Sequence, residues 1–277
     1  MRVACVIYFY GQKYQGLGGC ALSSFKKHHP DVDLYHINDT NINDFKSAKH
    51  KNLVVPGAFK YMIAAELMIE RGYEKVIVLG GDTITCSRLD EFLDDNEHDI
   101  LPTLDYPYRI ADFRGTHLCP DSETHLNSDV ICFNNASAIV DIVKISSNFP
   151  IYKDQGALNY VAWSGKYDYS TRIVDGPYDE SKVVYNARAK GNICGQPGEK
   201  PWGKFTNQFY VKDNKLFTGD HKQIKVWHYC EGFGTVDDAR FMELVNNWIY
   251  DWFNDETKIF FKENCACGDF FEKEFKF

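Results

Sequence analysis

Short unbroken apolar runs alternate with helix-spaced apolar stripes along this chain. Residues 3–9 and the run Val76-Ile77-Val78-Leu79 read as strands buried on both faces of a parallel sheet. Residues 32–37 predict another strand, and Leu22 with Phe25 share one face of a helix that runs to about His28, with Pro30 marking its end. Pro56 opens a further helix whose apolar stripe is Phe59, Met62, Ile63 and Leu67, and Gly72 stops it. Lys60 falls in its first turn, off the stripe. Leu89, Phe92 and Leu93 fit a short helix after the central strand, and residues 99–105 and 126–134 predict two more strands. An amphipathic helix follows over 136–146, and Asp213-Asn214 marks the turn of a hairpin over 210–217. Strand, helix, strand in succession predicts an α/β fold built on a parallel sheet.

The run 76–79 stops at Gly80 and Gly81, which permit close approach of a ligand to the backbone, and Asp82 places a carboxylate just past the strand's carboxyl end. Open α/β sheets bind their ligands at that end. Residues 106–126 show no period, and a long irregular stretch inside a compact domain suits acceptor contacts. Tyr8 and Tyr10, at the end of the first strand, are placed to stack a nucleobase or to pack a core edge. Gly16, Gly18 and Gly19 lack the spacing of a dinucleotide fingerprint.

With 277 residues, 44% of them hydrophobic and 25% charged, the chain is sized for one large domain or a domain with an added lobe. No apolar run approaches the ~20 residues of a transmembrane helix, and no secretory leader opens the sequence. The expected location is the cytoplasm. Nine scattered cysteines without a C-x-x-C pair predict reduced thiols rather than a disulfide frame or a zinc site. His28 and His29 read as solvated. The net charge is −8, yet residues 182–225 hold nine basic against three acidic residues, interleaved with aromatic ones, a surface suited to an anionic acceptor.

Four blocks in order carry a family resemblance: residues 75–82 ending in Asp82, residues 126–134 (Leu-Asn-Ser-Asp-Val-Ile-Cys-Phe-Asn), residues 154–159 (Asp-Gln-Gly-Ala-Leu-Asn) and residues 224–229 around His228. Together they resemble the GT-A fold nucleotide-sugar glycosyltransferases, particularly the glycogenin-like group, family 8. The resemblance implies a mixed, mostly parallel central sheet flanked by helices, with a catalytic domain over 1–235 and a C-terminal helix and aromatic tail over 236–277. It implies transfer of a sugar from a nucleoside diphosphate donor, a UDP-sugar in most of the group, with retention of configuration. Asp82 and His228 would hold Mn²⁺ or Mg²⁺, oxygen and imidazole donors suiting those ions better than zinc. Asp154, Gln155 and Asp129 take the catalytic, sugar-orienting positions. Tyr8, Tyr10, Lys60, Gly80, Gly81, Asn127 and Gly232 fall at donor-binding positions.

Two departures stand out. Gly80 occupies the place of the family's first metal-binding aspartate, and Asp129 replaces a glycine. Lys60 has a solvated lysine as its alternative, Asp154 an N-cap, and His228 a core histidine with satisfied nitrogens. Gln155 together with Asn159 favours sugar contact. The acceptor is a glycan, a protein or a nucleic acid, a modified base in DNA being the case that uses the basic stretch. The missing aspartate leaves a non-catalytic nucleotide-sugar or glycan binder as the alternative function, and a nucleotidyltransferase as a weaker one. Aromatic residues in the tail are consistent with packing on the domain or on a sister subunit.

Overall fold

The computed structural model describes residues 1–9, 15–38, 40–53, 56–104, 125–175, 182–187, 209–219, 221–228 and 255–265. In chain order their strands are β1 (Val3–Tyr8), β2 (Asp33–Ile37), β3 (Lys75–Gly80), β4 (Thr83–Thr85), β5 (Ile100–Leu104), β6 (Leu126–Phe133), β7 (Val183–Val184), β8 (Phe209–Lys212), β9 (Lys215–Thr218), β10 (Gln223–Ile224) and β11 (Val226–His228). Their helices are α1 (Gln15–His28), α2 (Phe59–Arg71), α3 (Asp90–Asp94), α4 (Ala136–Asn148), α5 (Lys153–Trp163) and α6 (Asp255–Asn264). The chain divides into two compact units. The first comprises Met1–Gln15, Asp31–Gly81 and Leu89–Val174, the second Gly16–Pro30, Asp82–Arg88 and Asp175–Phe277.

The first unit is built on a five-stranded sheet in the order β2-β1-β3-β6-β5. β1 runs parallel to both β2 and β3, while β6 is antiparallel to both β3 and β5. One reversed strand in an otherwise parallel sheet is the mixed, mostly parallel architecture expected. Val76, Ile77, Val78 and Leu79 are all fully buried in β3, which is why that stretch carries no polar alternation. Helices α2, α4 and α5 pack on one another and against the sheet. α2 ends where Gly72 enters the left-handed region at φ 70°. Lys75, at the start of β3, is fully buried, and its ammonium donates to the carbonyls of Phe92 (2.6 Å), Leu93 (2.9 Å) and Asp95 (2.6 Å). It thereby satisfies carbonyls at the end of α3 that have no partner within the helix.

The second unit holds a four-stranded sheet, β7-β10-β9-β8, and a two-stranded pairing of β11 with β4. Asp213 and Asn214 both take positive φ (50° and 55°), the primed turn that a two-residue hairpin between β8 and β9 requires. Trp227 is fully buried, with its ring 5.1 Å from that of Phe209 and 5.7 Å from that of Phe261 on α6. α1 is tied to β4 by the Ser24 hydroxyl, which accepts from the Thr85 N–H at 3.0 Å.

Several expectations are corrected across the two units. His29 is fully buried and stacks on Phe25 at 4.5 Å, rather than being solvated. Cys20 is disulfide-bonded, whereas Cys5, Cys86, Cys132 and Cys265 are buried free thiols, so reduction throughout does not hold. Within the basic stretch Lys222 and Lys225 are buried, and the Lys225 ammonium donates to the Arg88 carbonyl at 2.8 Å. Both side chains are turned inward, and that of Lys225 stabilises a backbone carbonyl. Arg188, Lys190, Lys200 and Lys204 lie outside the described residues, as do the irregular stretch 106–124, the expected boundary at 235, the helix beginning there, and the tail beyond 265. Among the described residues no helix is long and apolar enough to cross a membrane.

Candidate active site

Among the described residues, each unit brings together some of the site residues expected from sequence. In the first, a bulge in β6 creates the geometry. β5 pairs Pro102 with Ile131 but Thr103 with Asn127, so residues 128–130 bulge out of the ladder. The polar groups this frees find partners. The Asn127 side-chain oxygen accepts from the Asp129 N–H at 2.8 Å, the Thr103 hydroxyl donates to the Val130 carbonyl at 2.9 Å, and the Tyr61 hydroxyl donates to the Ser128 carbonyl at 2.8 Å. A strand that would otherwise run straight therefore turns Ser128 and Asp129 toward α2 and α5.

Lys60 on α2 meets them. Its side chain is 3% exposed, and its ammonium pairs with the carboxylates of Asp129 and, at 2.9 Å, of Asp154. The Ser128 hydroxyl donates to Asp154 at 3.0 Å and lies 3.5 Å from the Gln155 side-chain oxygen. Burial opposes the charge on Lys60, but the Asp129 and Asp154 carboxylates outweigh it and hold its pKa well above the usual lysine range. Burial likewise works against the Asp154 carboxylate. The Lys60 charge, with hydrogen bonds from Lys60 and Ser128, outweighs it and lowers the pKa. The cluster is thus two carboxyl groups around one ammonium, with the Lys60 and Asp154 pKa values both moved toward the charged form. Asp129 and Asp154 remain 34% and 17% exposed, so their oxygens are open to a ligand.

Two alternatives from the sequence are excluded here. Lys60 is buried rather than solvated. Asp154 sits inside the first turn of α5, which begins at Lys153, and its carboxylate is turned to Lys60 and Ser128 instead of capping the helix. Asn159 is fully buried. Its amide exchanges hydrogen bonds with the backbone of Leu126, accepting at 2.9 Å and donating at 3.1 Å, so it anchors α5 to β6 and makes no sugar contact. Gly57, just before α2, was missed by the sequence reading. A Cβ there would lie 2.9 Å from the Asp154 carboxyl atoms.

At the end of β3, Gly80 pairs in register with Tyr8 and offers no carboxylate. A Cβ on Gly81 would collide with the Phe9 Cβ and lie 3.0 Å from the Tyr8 carbonyl, which accepts from the Gly81 N–H at 3.0 Å. Packing against β1 is sufficient reason for glycine at 81, with no ligand required. Tyr8 is partly exposed, its ring 6.3 Å from Phe59. Tyr10 and Gly232 lie outside the described residues.

The second unit brings together Asp82 and His228. β4 and β11 pair with His228 opposite Thr83, and the His228 Nε2 lies 3.3 Å from Asp82 Oδ1. The imidazole is buried, and its Nδ1 donates to the Asn186 side-chain oxygen at 2.7 Å. That bond fixes the ring and directs the other nitrogen toward the carboxylate. Nε2 makes no hydrogen bond within the described residues, and Asp82 is 17% exposed. One hard oxygen and one oriented imidazole nitrogen fit part of the shell of a Mn²⁺ or Mg²⁺ ion. Among the described residues no third histidine, cysteine, aspartate or glutamate joins them. Asn186 also went unassigned from sequence, although it lies in a strand-like stretch ahead of the histidine block.

The sequence matches no family model and no curated protein. Solved structures do match. One is a glycosyltransferase involved in glycosylation of the major capsid of PBCV-1, at a TM-score of 0.51 and 9% identity, covering 89% of this chain and 100% of that one. Another is the bifunctional glycosyltransferase WbbM, at a TM-score of 0.51 and 14% identity, covering 94% of this chain and 51% of that one. The chain therefore shares the GT-A glycosyltransferase fold.

Proposed function

We propose that this chain is a glycosyltransferase that moves a sugar from a nucleoside diphosphate donor, a UDP-sugar by preference, to an acceptor hydroxyl. The observation that carries the reading is the approach of Asp82 and His228 to 3.3 Å from distant parts of the chain. The shared fold supports it. A bound Mn²⁺ or Mg²⁺ would act as a Lewis acid that offsets charge on the departing diphosphate. Asp82 contributes an anionic oxygen to such an ion, and Asn186 keeps the His228 Nε2 lone pair available to it.

In the other cluster Lys60 positions the Asp129 and Asp154 carboxyl groups and favours the charged form of Asp154, and both present oxygens that would accept hydrogen bonds from sugar hydroxyls. Gln155 adds a further polar group, whereas Asn127 is buried and holds the bulge that presents Asp129. Fixing the sugar this way converts encounter into orientation, which accounts for a large part of enzymatic acceleration. Retention of configuration, with a leaving phosphate oxygen taking the acceptor proton on the same face, needs no further side-chain base. With Gly80 in place of a second carboxylate, Asp82 and His228 would hold a cation weakly by themselves and would need donor phosphate oxygens to complete its shell.

The test is release of free monosaccharide from a panel of nucleotide-sugars in Mn²⁺, compared between wild type and Asp82→Asn. Slow hydrolysis of one donor, lost in the variant, supports the reading. Gly80 favours one rival, a non-catalytic binder, which would be stabilised thermally by a nucleotide-sugar yet hydrolyse none. Lys222 and Lys225 are withdrawn from the basic stretch by burial, while Lys182, Lys212 and Lys215 stay exposed, so a glycan and a nucleic acid both stand as acceptor classes.

A further inference from the structure

A row of aromatic rings lies on the first unit, away from any role assigned above. Phe149, Tyr152, Tyr160, Tyr167 and Tyr169 follow one another with ring centroids 6.2, 5.6, 6.4 and 6.0 Å apart. Such a cluster would ordinarily be packed under other side chains, since exposed aromatic surface is costly. Here Phe149 is 49% exposed and its neighbour Ile151 72%, and the four tyrosines are all partly exposed.

We infer that this row is a binding platform for a neutral glycan chain, the acceptor of the proposed transfer; the link to the acceptor rests on that reading. Chemistry selects the occupant. A pyranose ring offers apolar C–H faces and hydroxyl edges, and a tyrosine offers an apolar body with a polar tip. Four of the five rings are tyrosines, which an aliphatic protein partner would not require. The surrounding charges nearly cancel, arguing against a phosphate backbone. Lys144 pairs with Asp141 at 2.8 Å, and Lys166 bonds the Tyr160 hydroxyl at 2.5 Å, with Lys153 and Asp168 also exposed. Asp141 in turn accepts from the Tyr169 hydroxyl at 2.7 Å, fixing that end of the row. The row is continuous with the sugar-orienting residues: Tyr152 lies two positions before Asp154, and α5 carries Asp154, Gln155 and Tyr160 alike.

The experiment is electrophoresis of the whole chain in native gels cast with neutral polysaccharides (an α-glucan, a β-glucan or a galactomannan), run beside the donor-hydrolysis assay. Retardation of wild type by at least one polysaccharide is expected. Tyr160→Ala and Tyr167→Ala should weaken it by up to about tenfold each, with hydrolysis of the donor unchanged. Tyr160→Phe keeps the ring and should keep most of the retardation, which a folding defect would not allow. No retardation by any polysaccharide overturns the inference. So does retardation that the alanine variants leave intact, salt-sensitive binding of a single-stranded oligonucleotide in its place, or a concentration-dependent dimer that Tyr160→Ala abolishes. Absence of donor hydrolysis by wild type would instead count against the transferase reading, because that readout involves no acceptor.

Discussion

Replacing Lys60 by Met removes the one cation that the Asp129 and Asp154 carboxylates share in the first unit, while roughly keeping its volume. Breaking a buried ion pair from one side costs about 3–5 kcal/mol, because the remaining charge stays desolvated. Asp129 is about one-third exposed, so solvent relieves part of that, and we expect about 3 kcal/mol. For a chain of this size that corresponds to a Tm lower by about 6–12 °C. The pH dependence is the sharper test. The depressed Asp154 pKa stabilises the wild type above the carboxyl's unfolded value and is lost as pH falls through the folded one. The raised Lys60 pKa acts in the opposite sense, giving stability that is fully present below the unfolded lysine value and lost only as pH rises through the folded one. In the variant the Asp154 carboxylate loses the cation that lowers its pKa and takes up a proton more readily in mild acid. The Tm deficit should therefore be largest at pH 7 and shrink toward about pH 4.5. Calorimetry of both proteins at the two pH values measures it, and Lys60→Met/Asp154→Asn should recover part of the loss. Equal deficits at both pH values, or no deficit at pH 7, would refute the account of this cluster.

Asp154→Asn keeps the shape but removes a charge, and should lower kcat by about 10²-fold or more while costing less stability than loss of Lys60; steady-state kinetics and Tm compared side by side check it. Gly57→Ala should push the Asp154 carboxylate out of place, costing about 1–3 kcal/mol together with a fall in kcat, and an unchanged kcat would contradict the close approach. Asn186→Leu should weaken Mn²⁺ binding in the presence of UDP by about 10–100-fold with little change in nucleotide affinity, read by calorimetry. Thr103→Val leaves the Val130 carbonyl of the bulge without its hydroxyl partner and should cost about 1–3 kcal/mol in denaturant unfolding.

The centre of the sheet was legible because β1 and β3 are buried on both faces, whereas the edge strand β2 is largely open to solvent. An apolar run such as 76–79 has no other economical fate, and Gly72 and Asp213-Asn214 carry their own backbone chemistry. Less legible was anything created by the bulge in β6. Bulges leave no apolar signature, and this one is recognisable only once Asn127, Thr103 and Tyr61 are found to serve the freed backbone groups. Whether Lys60 was buried or, as its alternative had it, solvated was not legible for a related reason: a lysine off an apolar stripe normally points to solvent, and only the carboxylates brought in by β6 and α5 make its burial tolerable. Lys222, Lys225 and His29 were misread by the same habit of equating charge or polarity with exposure. Asp82 could be picked out by its place past the end of an apolar strand, but His228, and the link between the two, only through the order of motif blocks, since no local spacing connects them. The pairing of β4 with β11 provides that connection.

The central claim is that Asp82 and His228 receive a divalent cation together with a nucleoside diphosphate. Titration of Mn²⁺ into the chain by calorimetry, with and without UDP, tests it most directly. Weak binding alone and markedly tighter binding with UDP, lost in His228→Ala, is the predicted result. Tight Mn²⁺ binding to the nucleotide-free protein, or no heat under either condition, would contradict it.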